Sequence, residues 1–189
     1  MNIYDFDGTI YHGDSTFDFF RWSLKKHPAL MRYLPCQAWG FLLYGLRITS
    51  KTKAKETFYR FLRGFDARAD LKEFWDTHEH NIYPYYRQQH ADTDIVISAS
   101  PEFLLEPICQ RLGIRHLMAS RVDPETGLYT GVNCHGAEKV TRLHDQMGVD
   151  HCDSFYSDAH CDLPLAKIAD QAFLVDKQGT LHPWDTTKG

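Results

Sequence analysis

A paired-cysteine framework, a basic excess, a long apolar run and internal repeats are all missing from this sequence of 189 residues. Each absence removes a class of function. The five cysteines, Cys36, Cys109, Cys134, Cys152 and Cys161, are odd in number and form no short paired spacing, which argues against a disulfide scaffold. The opening MNIYDFDGT lacks the basic, apolar and small-residue regions of a signal peptide. A cytoplasmic protein with reduced thiols is therefore expected. The longest apolar stretch, Leu34 to Leu46, falls short of the roughly 20 residues a membrane span needs and runs into Arg47. No transmembrane helix is expected. A formal net charge of −4 gives no sign of the basic surface that a nucleic-acid partner requires. His151-Cys152 and His160-Cys161 offer nitrogen and sulfur, but their spacing matches no usual zinc module.

What is present is an uneven distribution of charge and pattern. Residues 14–90 hold 13 Lys and Arg against 8 Asp and Glu, while the rest of the chain holds 8 against 17. A basic insert over an acidic body suits an anionic substrate met by metal-holding carboxylates. Met1 to Asp7 reads as a buried strand entering a tight turn. Residues 14–90 switch to aromatic-rich helical periodicity (Phe17, Phe20, Leu24; Phe58, Phe61, Leu62, Phe65), broken near Pro28, Pro35, Gly64 and Pro84. The aromatics there, including Trp22, Trp39 and Phe41, are expected to form the insert's own core, with 34–46 a candidate contact surface if exposed.

Beyond residue 90, Asp94 to Ser98 is a second strand, and a helix opens at Pro101 and Glu102 and ends at Gly113. Stretches 116–122 and 128–134 flank Asp123-Pro-Glu-Thr-Gly127 as a hairpin. Gly136 to Met147 is an amphipathic helix. Ser154 to Ser157 is a strand, 163–169 a short helix and Ala172 to Val175 a last strand. Strands alternating with helices predict an α/β fold with a parallel sheet, whose ligands sit beyond the strands' carboxyl ends.

Asp5 and Asp7, followed by Gly8 and Thr9, lie at such an end. A turn permitted by Gly8 brings both carboxylates into one site. One can attack phosphorus and form an acyl-phosphate while the other protonates the leaving oxygen and later activates water; Asp5 takes the first role and Asp7 the second. Ser98 and Lys139 are placed to hold phosphoryl oxygens, together with backbone amides of Phe6, Gly8, Thr9 and Ala99. Asp158 completes an oxygen site for Mg²⁺ with Asp5 and a backbone carbonyl. Arg60 and Arg63, on one helical face, could offer a cation to the far end of the substrate.

The segments DFDGT (5–9), VISAS (96–100), GAEK (136–139) and YSDAHCD (156–162) resemble, in order, the four motifs of the haloacid dehalogenase superfamily. The resemblance implies a Rossmann-like three-layer core from residues 1–13 and 91–189, with an all-helical cap (14–90) inserted after the first strand. It implies Asp5 as nucleophile and Asp7 as acid/base, with Mg²⁺ held by Asp5, the Asp7 carbonyl and Asp158, and Asp162 just outside. The insert is placed like the cap of the phosphoserine-phosphatase-like branch. Three positions depart from that branch: Asp14 stands where its cap glutamate would be, and Ala99-Ser100 replaces a glycine pair.

The expected activity is Mg²⁺-dependent hydrolysis of a phosphate monoester on a small phosphorylated metabolite. Phosphatidylglycerophosphatase C is also similar in the 35–46 and 156–166 stretches, so a lipid phosphate is a second candidate substrate. The same scaffold also suits a phosphotransferase or a non-catalytic phosphate-binding protein. Oligomeric state is not legible.

Overall fold

The structure, a computed structural model, describes residues 1–188. Six strands form one sheet: β1 (Asn2–Tyr4), β2 (Ile95–Pro101), β3 (His116–Ser120), β4 (Cys152–Ser157), β5 (Ala169–Val175) and β6 (Leu181–Pro183). The spatial order is β3-β2-β1-β4-β5-β6, parallel throughout except for β6, which runs antiparallel to β5. β1 lies at the centre. The chain leaves it toward β2 and β3 on one side and returns to β4 on the other, so a topological switch falls beside the carboxyl end of β1.

Burial explains why these segments became strands. Ile3, Ile95, Ile97 and Phe155 pack on one face with Leu143 and Leu165 from α7 (Ala137–Met147) and α8 (Leu163–Ala166). Tyr4, Val96 and Tyr156 point to the other face, toward α6 (Glu102–Arg111). A strand apolar on both sides is stable only between two layers of helix. Across the second face Tyr4 stacks on its register partner Tyr156 at 4.5 Å, and Tyr156 on its partner Phe173 at 5.0 Å. These cross-strand aromatic pairs fix the register of three strands.

Between β1 and β2 the chain is helical: α1 (Ser15–Lys26), α2 (Leu34–Gly45), α3 (Lys51–Tyr59), α4 (Ala67–His78) and α5 (Pro84–Gln89), with short 3₁₀ turns between. Asp14, Ser50 and Asp66 cap α1, α3 and α4 by accepting from the backbone amides of Phe17, Lys53 and Ala69. One apolar cluster runs from Tyr4 and Phe6 through Phe19, Phe61 and Trp75 to Leu104. Trp75, fully buried, donates its indole N–H to the Leu104 carbonyl at 2.8 Å and meets Phe6 and Tyr11 edge-on. α4 is thereby fastened to both α6 and the loop after β1.

Several expectations are corrected. Residues 128–134 form no strand; the Val122–Tyr129 bridge is all that remains of the hairpin. The reason is local. Asp123 Oδ1 accepts the amides of Glu125 and Thr126, and Gly127 (φ 71°) packs against the Tyr59 carbonyl, so the loop seats on the insert rather than on a strand. The helix expected over 163–169 stops at Ala166 because β5 starts at Ala169. β6 was hidden by Pro183, tolerated because β6 is an edge strand. Phe19, Phe20, Phe58 and Phe61 are buried as expected, but Phe17, Trp39 and Phe41 are exposed.

Trp75→Ala removes a fully enclosed side chain that makes a buried hydrogen bond, and is expected to destabilise the fold by about 3–5 kcal/mol in urea unfolding. A change below about 1 kcal/mol would show that α4 is not anchored as described.

Candidate active site

The site forms where three strand ends and one helix start converge. The Asp5 amide still donates to the Tyr156 carbonyl at 2.9 Å, extending the pairing with β4 by one bond before the chain turns. Asp5 Oδ1 then accepts the Phe6 amide at 2.8 Å and meets Lys139 Nζ at 3.1 Å. Both contacts use the same oxygen. Oδ2 of Asp5 has no hydrogen-bond or ion-pair partner among the described residues.

Lys139 comes from the first turn of α7, following Gly136 at φ 61°. It is 1% exposed and donates to Asp162 Oδ2 at 2.7 Å as well as reaching Asp5. Burial alone would lower the lysine's pKa, but the Asp5 and Asp162 charges outweigh it and hold the ammonium above its ordinary range. Asp162, also buried, accepts the Ser157 hydroxyl at 2.9 Å. This carboxylate orients the lysine from behind while Asp5 meets it from the front.

Asp7 is held by Ser15, whose amide donates to Oδ1 at 2.6 Å, and by the Ser100 hydroxyl on Oδ2. Ser100 also contacts Thr16 Oγ1 at 3.0 Å and receives support through its own amide, which donates to Ser98 Oγ at 3.1 Å. Ser98 and Ser100 thus lock each other at the end of β2. Burial pushes Asp5 up to about 7, opposed by Lys139. It pushes Asp7 up to about 6, with the Asp14 charge adding to the effect and the Ser100 and Ser15 hydrogen bonds opposing it.

Gly8 has φ 70°, and a Cβ there would overlap the Asp158 carboxylate. Only glycine lets the loop after β1 and the loop after β4 approach this closely. The fully buried Thr9 stitches them, its hydroxyl accepting the Asp158 amide at 3.0 Å. A cavity of about 770 Å³ opens above, lined among others by Asp5, Asp7, Gly8, Ser98, Ala99 and Asp158. Asp14 also lines it, although its Oδ1 is engaged in capping α1. Phe6 instead turns its ring into the core, leaving its backbone amide at the site.

Arg60 and Arg63 are not brought there. Arg60 contacts Cys36 Sγ, Arg63 donates to the Thr126 carbonyl, and neither lines the cavity. The cation that the insert does supply is Lys55 of α3, which donates to the Ala99 carbonyl at 3.1 Å; burial, then the Lys51 charge, lowers its pKa. Sequence reasoning does not single out Lys55 or Ser100. Ser100 carries a signal, since it departs from the glycine of the related motif. Lys55 has only its place on an amphipathic helix, one of many such lysines.

The donors suit Mg²⁺ in a specific way. Among the described residues no three His, Cys, Asp or Glu side chains converge as a ready-made metal cluster. Asp5 and Asp158 supply two carboxylates, and the Asp7 carbonyl accepts no hydrogen bond among the described residues. Mg²⁺ characteristically takes one or two carboxylates and fills its octahedron with water and phosphate oxygens. Charge points the same way. Asp5, Asp7, Asp14, Asp158 and Asp176 line the cavity against Lys55 and Lys177, with Lys139 beneath, so a phosphate dianion would meet net negative charge without a cation.

Comparison with known proteins agrees with this layout. A family model described as haloacid dehalogenase-like hydrolase matches residues 3–167. Over 103 residues the chain is 32% identical to a probable phosphatase of Mycobacterium tuberculosis, a match covering 50% of this chain but only 36% of that protein. It is 27% identical over 194 residues to protein CicA of Caulobacter vibrioides, covering 89% of this chain and 82% of CicA. Among solved structures, a Bordetella pertussis protein of unknown function superposes with TM-score 0.71 at 21% identity, covering 91% of this chain and 87% of that one. A phosphoserine phosphohydrolase-like protein from Francisella tularensis gives 0.56 at 16%, covering 90% and 84%. At such identities the solved structures speak for the fold. With four motif segments in order on a sheet of this topology and a family match over most of its length, the chain belongs to the haloacid dehalogenase-like hydrolases.

Proposed function

We propose that this protein is a Mg²⁺-dependent phosphatase that hydrolyses a phosphate monoester through an aspartyl-phosphate on Asp5. The observation that carries the reading is the arrangement of Asp5, with one oxygen fixed by Lys139 and the Phe6 amide and the other without a partner. Oδ2 attacks phosphorus in line, and the bond from phosphorus to the alkoxide oxygen breaks as Asp7 delivers its proton to that oxygen. Water then attacks phosphorus, Asp7 accepts the water's proton, and the bond to Asp5 breaks to release phosphate. A carboxyl poised at about 6 can serve both halves near neutral pH.

Ser98, Lys139 and the Ala99 amide hold the phosphoryl oxygens as charge moves onto them. The amides of Gly8 and Thr9, expected to join them, instead donate within the loop to the Tyr11, Gly13 and Phe6 carbonyls, and the Phe6 amide is spent on Asp5. Bound between Asp5, the Asp7 carbonyl and Asp158, Mg²⁺ would neutralise the carboxylates and draw the phosphate in. Asp162 keeps Lys139 aimed. The cap role falls to the insert, with α3 delivering Lys55 to the cavity rim and Asp14 facing the leaving group.

A second reading, an apolar leaving group such as that of a lipid phosphate, is favoured by one observation. A side cavity of about 180 Å³ adjoins the main one through Asp14, Lys55 and Ser100 and is walled by Phe17, Phe41, Phe58 and Tyr59.

Phosphate release from phosphoserine, sugar phosphates, nucleotides and phosphatidylglycerophosphate, with and without Mg²⁺, tests both readings. Mg²⁺-dependent release that falls by about 10³-fold or more in Asp5→Asn is expected. Release untouched by that substitution would end the covalent mechanism. A preference for the lipid substrate would select the second reading.

The same variant has a stability signature. Because the folded Asp5 carboxyl, at about 7, lies above its ordinary 3.8, the folded state holds this proton more tightly than the unfolded chain. Its contribution is fully present below about pH 4 and is lost as pH rises through about 7. Asp5→Asn is therefore expected to raise stability at pH 8 in EDTA by about 1–3 kcal/mol and to flatten that decline. Loss of stability in the variant would contradict the described burial.

A further inference from the structure

α2 is built inside out. The residues it turns toward the protein are small or polar: Gln37, whose side-chain amide donates to the Phe58 carbonyl at 2.8 Å, and Gly40, pressed against Thr57. The residues it turns outward are large and apolar. Trp39 is 61% exposed and Leu46 59%, with Phe41, Leu42 and Tyr44 between them and Ile48 just beyond at 68%. An amphipathic helix in water shows the reverse pattern, so this face fits a non-aqueous partner.

The surrounding charge selects the partner. From Phe19 to Lys55 the chain carries eight Lys and Arg and no Asp or Glu. Arg32 and Arg47, both exposed, bracket the helix at its two ends. A second copy pairing by twofold symmetry would set this cationic rim against itself. An anionic lipid surface complements it, and Trp and Tyr are the side chains that settle at the level of lipid headgroups. At 12 residues α2 is only about 18 Å long, and no helix among the described residues is long and apolar enough to cross a membrane.

We propose that the outward face of α2, ringed by Arg32 and Arg47, docks this protein in the plane of an anionic lipid bilayer. The apolar side chains enter the headgroup boundary while the arginines meet lipid phosphates. The proposal does not depend on turnover.

The test is co-flotation of the full chain with phosphatidylcholine vesicles lacking or containing phosphatidylglycerol. Binding to the anionic vesicles, weakened by salt, is expected. Trp39→Glu and Leu42→Glu should each reduce it by about tenfold or more, since each replaces a membrane-buried apolar group with a charge. Arg32→Gln and Arg47→Gln should reduce it by about fivefold each. All four side chains are exposed, so the variants should keep the wild-type circular dichroism spectrum. Failure of the wild-type chain to float with anionic vesicles would overturn the proposal, as would equal binding by folded Trp39→Glu and Leu42→Glu. So would a dimer in sedimentation equilibrium that Trp39→Glu dissolves, because a second copy would then own the face.

Discussion

A buried ammonium between two carboxylates is the constraint on which the rest of the site depends. Lys139 joins Asp5 after β1, Asp162 beyond β4 and the first turn of α7 into one charged knot, with Lys139 and Asp162 closed to water and Asp5 open to the cavity. Removing the ammonium would leave two carboxylates uncompensated at low dielectric, which is far more damaging than the net worth of the intact arrangement. The knot thus makes three distant segments interdependent. It also engages Oδ1 of Asp5 and leaves Oδ2 as the oxygen that the proposed reaction would use.

The remaining carboxylates are arranged at the expense of stability. Asp5, Asp7 and Asp158 all have pKa values raised by burial, and Gly8 brings Asp158 into contact with the loop that carries the first two. An apo protein would be more stable with fewer of these charges. Such frustration is expected where a cation and an anionic substrate complete the electrostatics. The packing opposite is correspondingly firm: Phe6, one residue from each aspartate, turns its ring into the Trp75 and Tyr11 cluster and so pins the loop's backbone.

The convergence of the candidate site residues was legible because strand ends, glycines and carboxylates carry local signals. Asp5 and Asp7 announce themselves by the glycine that follows, and Asp158 and Lys139 by their place at the end of a strand and the start of a helix. What was illegible depends on tertiary packing. Periodicity shows that α2 is apolar but not which arc faces the protein, and the inward Gln37 and Gly40 invert the usual assignment. Arg60 and Arg63 stood out by their spacing and Lys55 did not, yet of these three only Lys55 reaches the Ala99 carbonyl. Asp123 and Gly127 read as a hairpin turn, but the turn they make rests against Tyr59, and the pairing beyond it stops at the single Val122–Tyr129 bridge.

A covalent bond from phosphorus to Asp5 is the central claim. Acid-quenching the enzyme during turnover, reducing with borohydride and sequencing the N-terminal peptide by mass spectrometry tests it directly, since an aspartyl-phosphate is converted to homoserine. Homoserine at position 5, and more of it in Asp7→Asn when the substrate is an aryl phosphate whose leaving group needs no proton but water is no longer activated, is the predicted result. Turnover with an unmodified Asp5 in both proteins would contradict it.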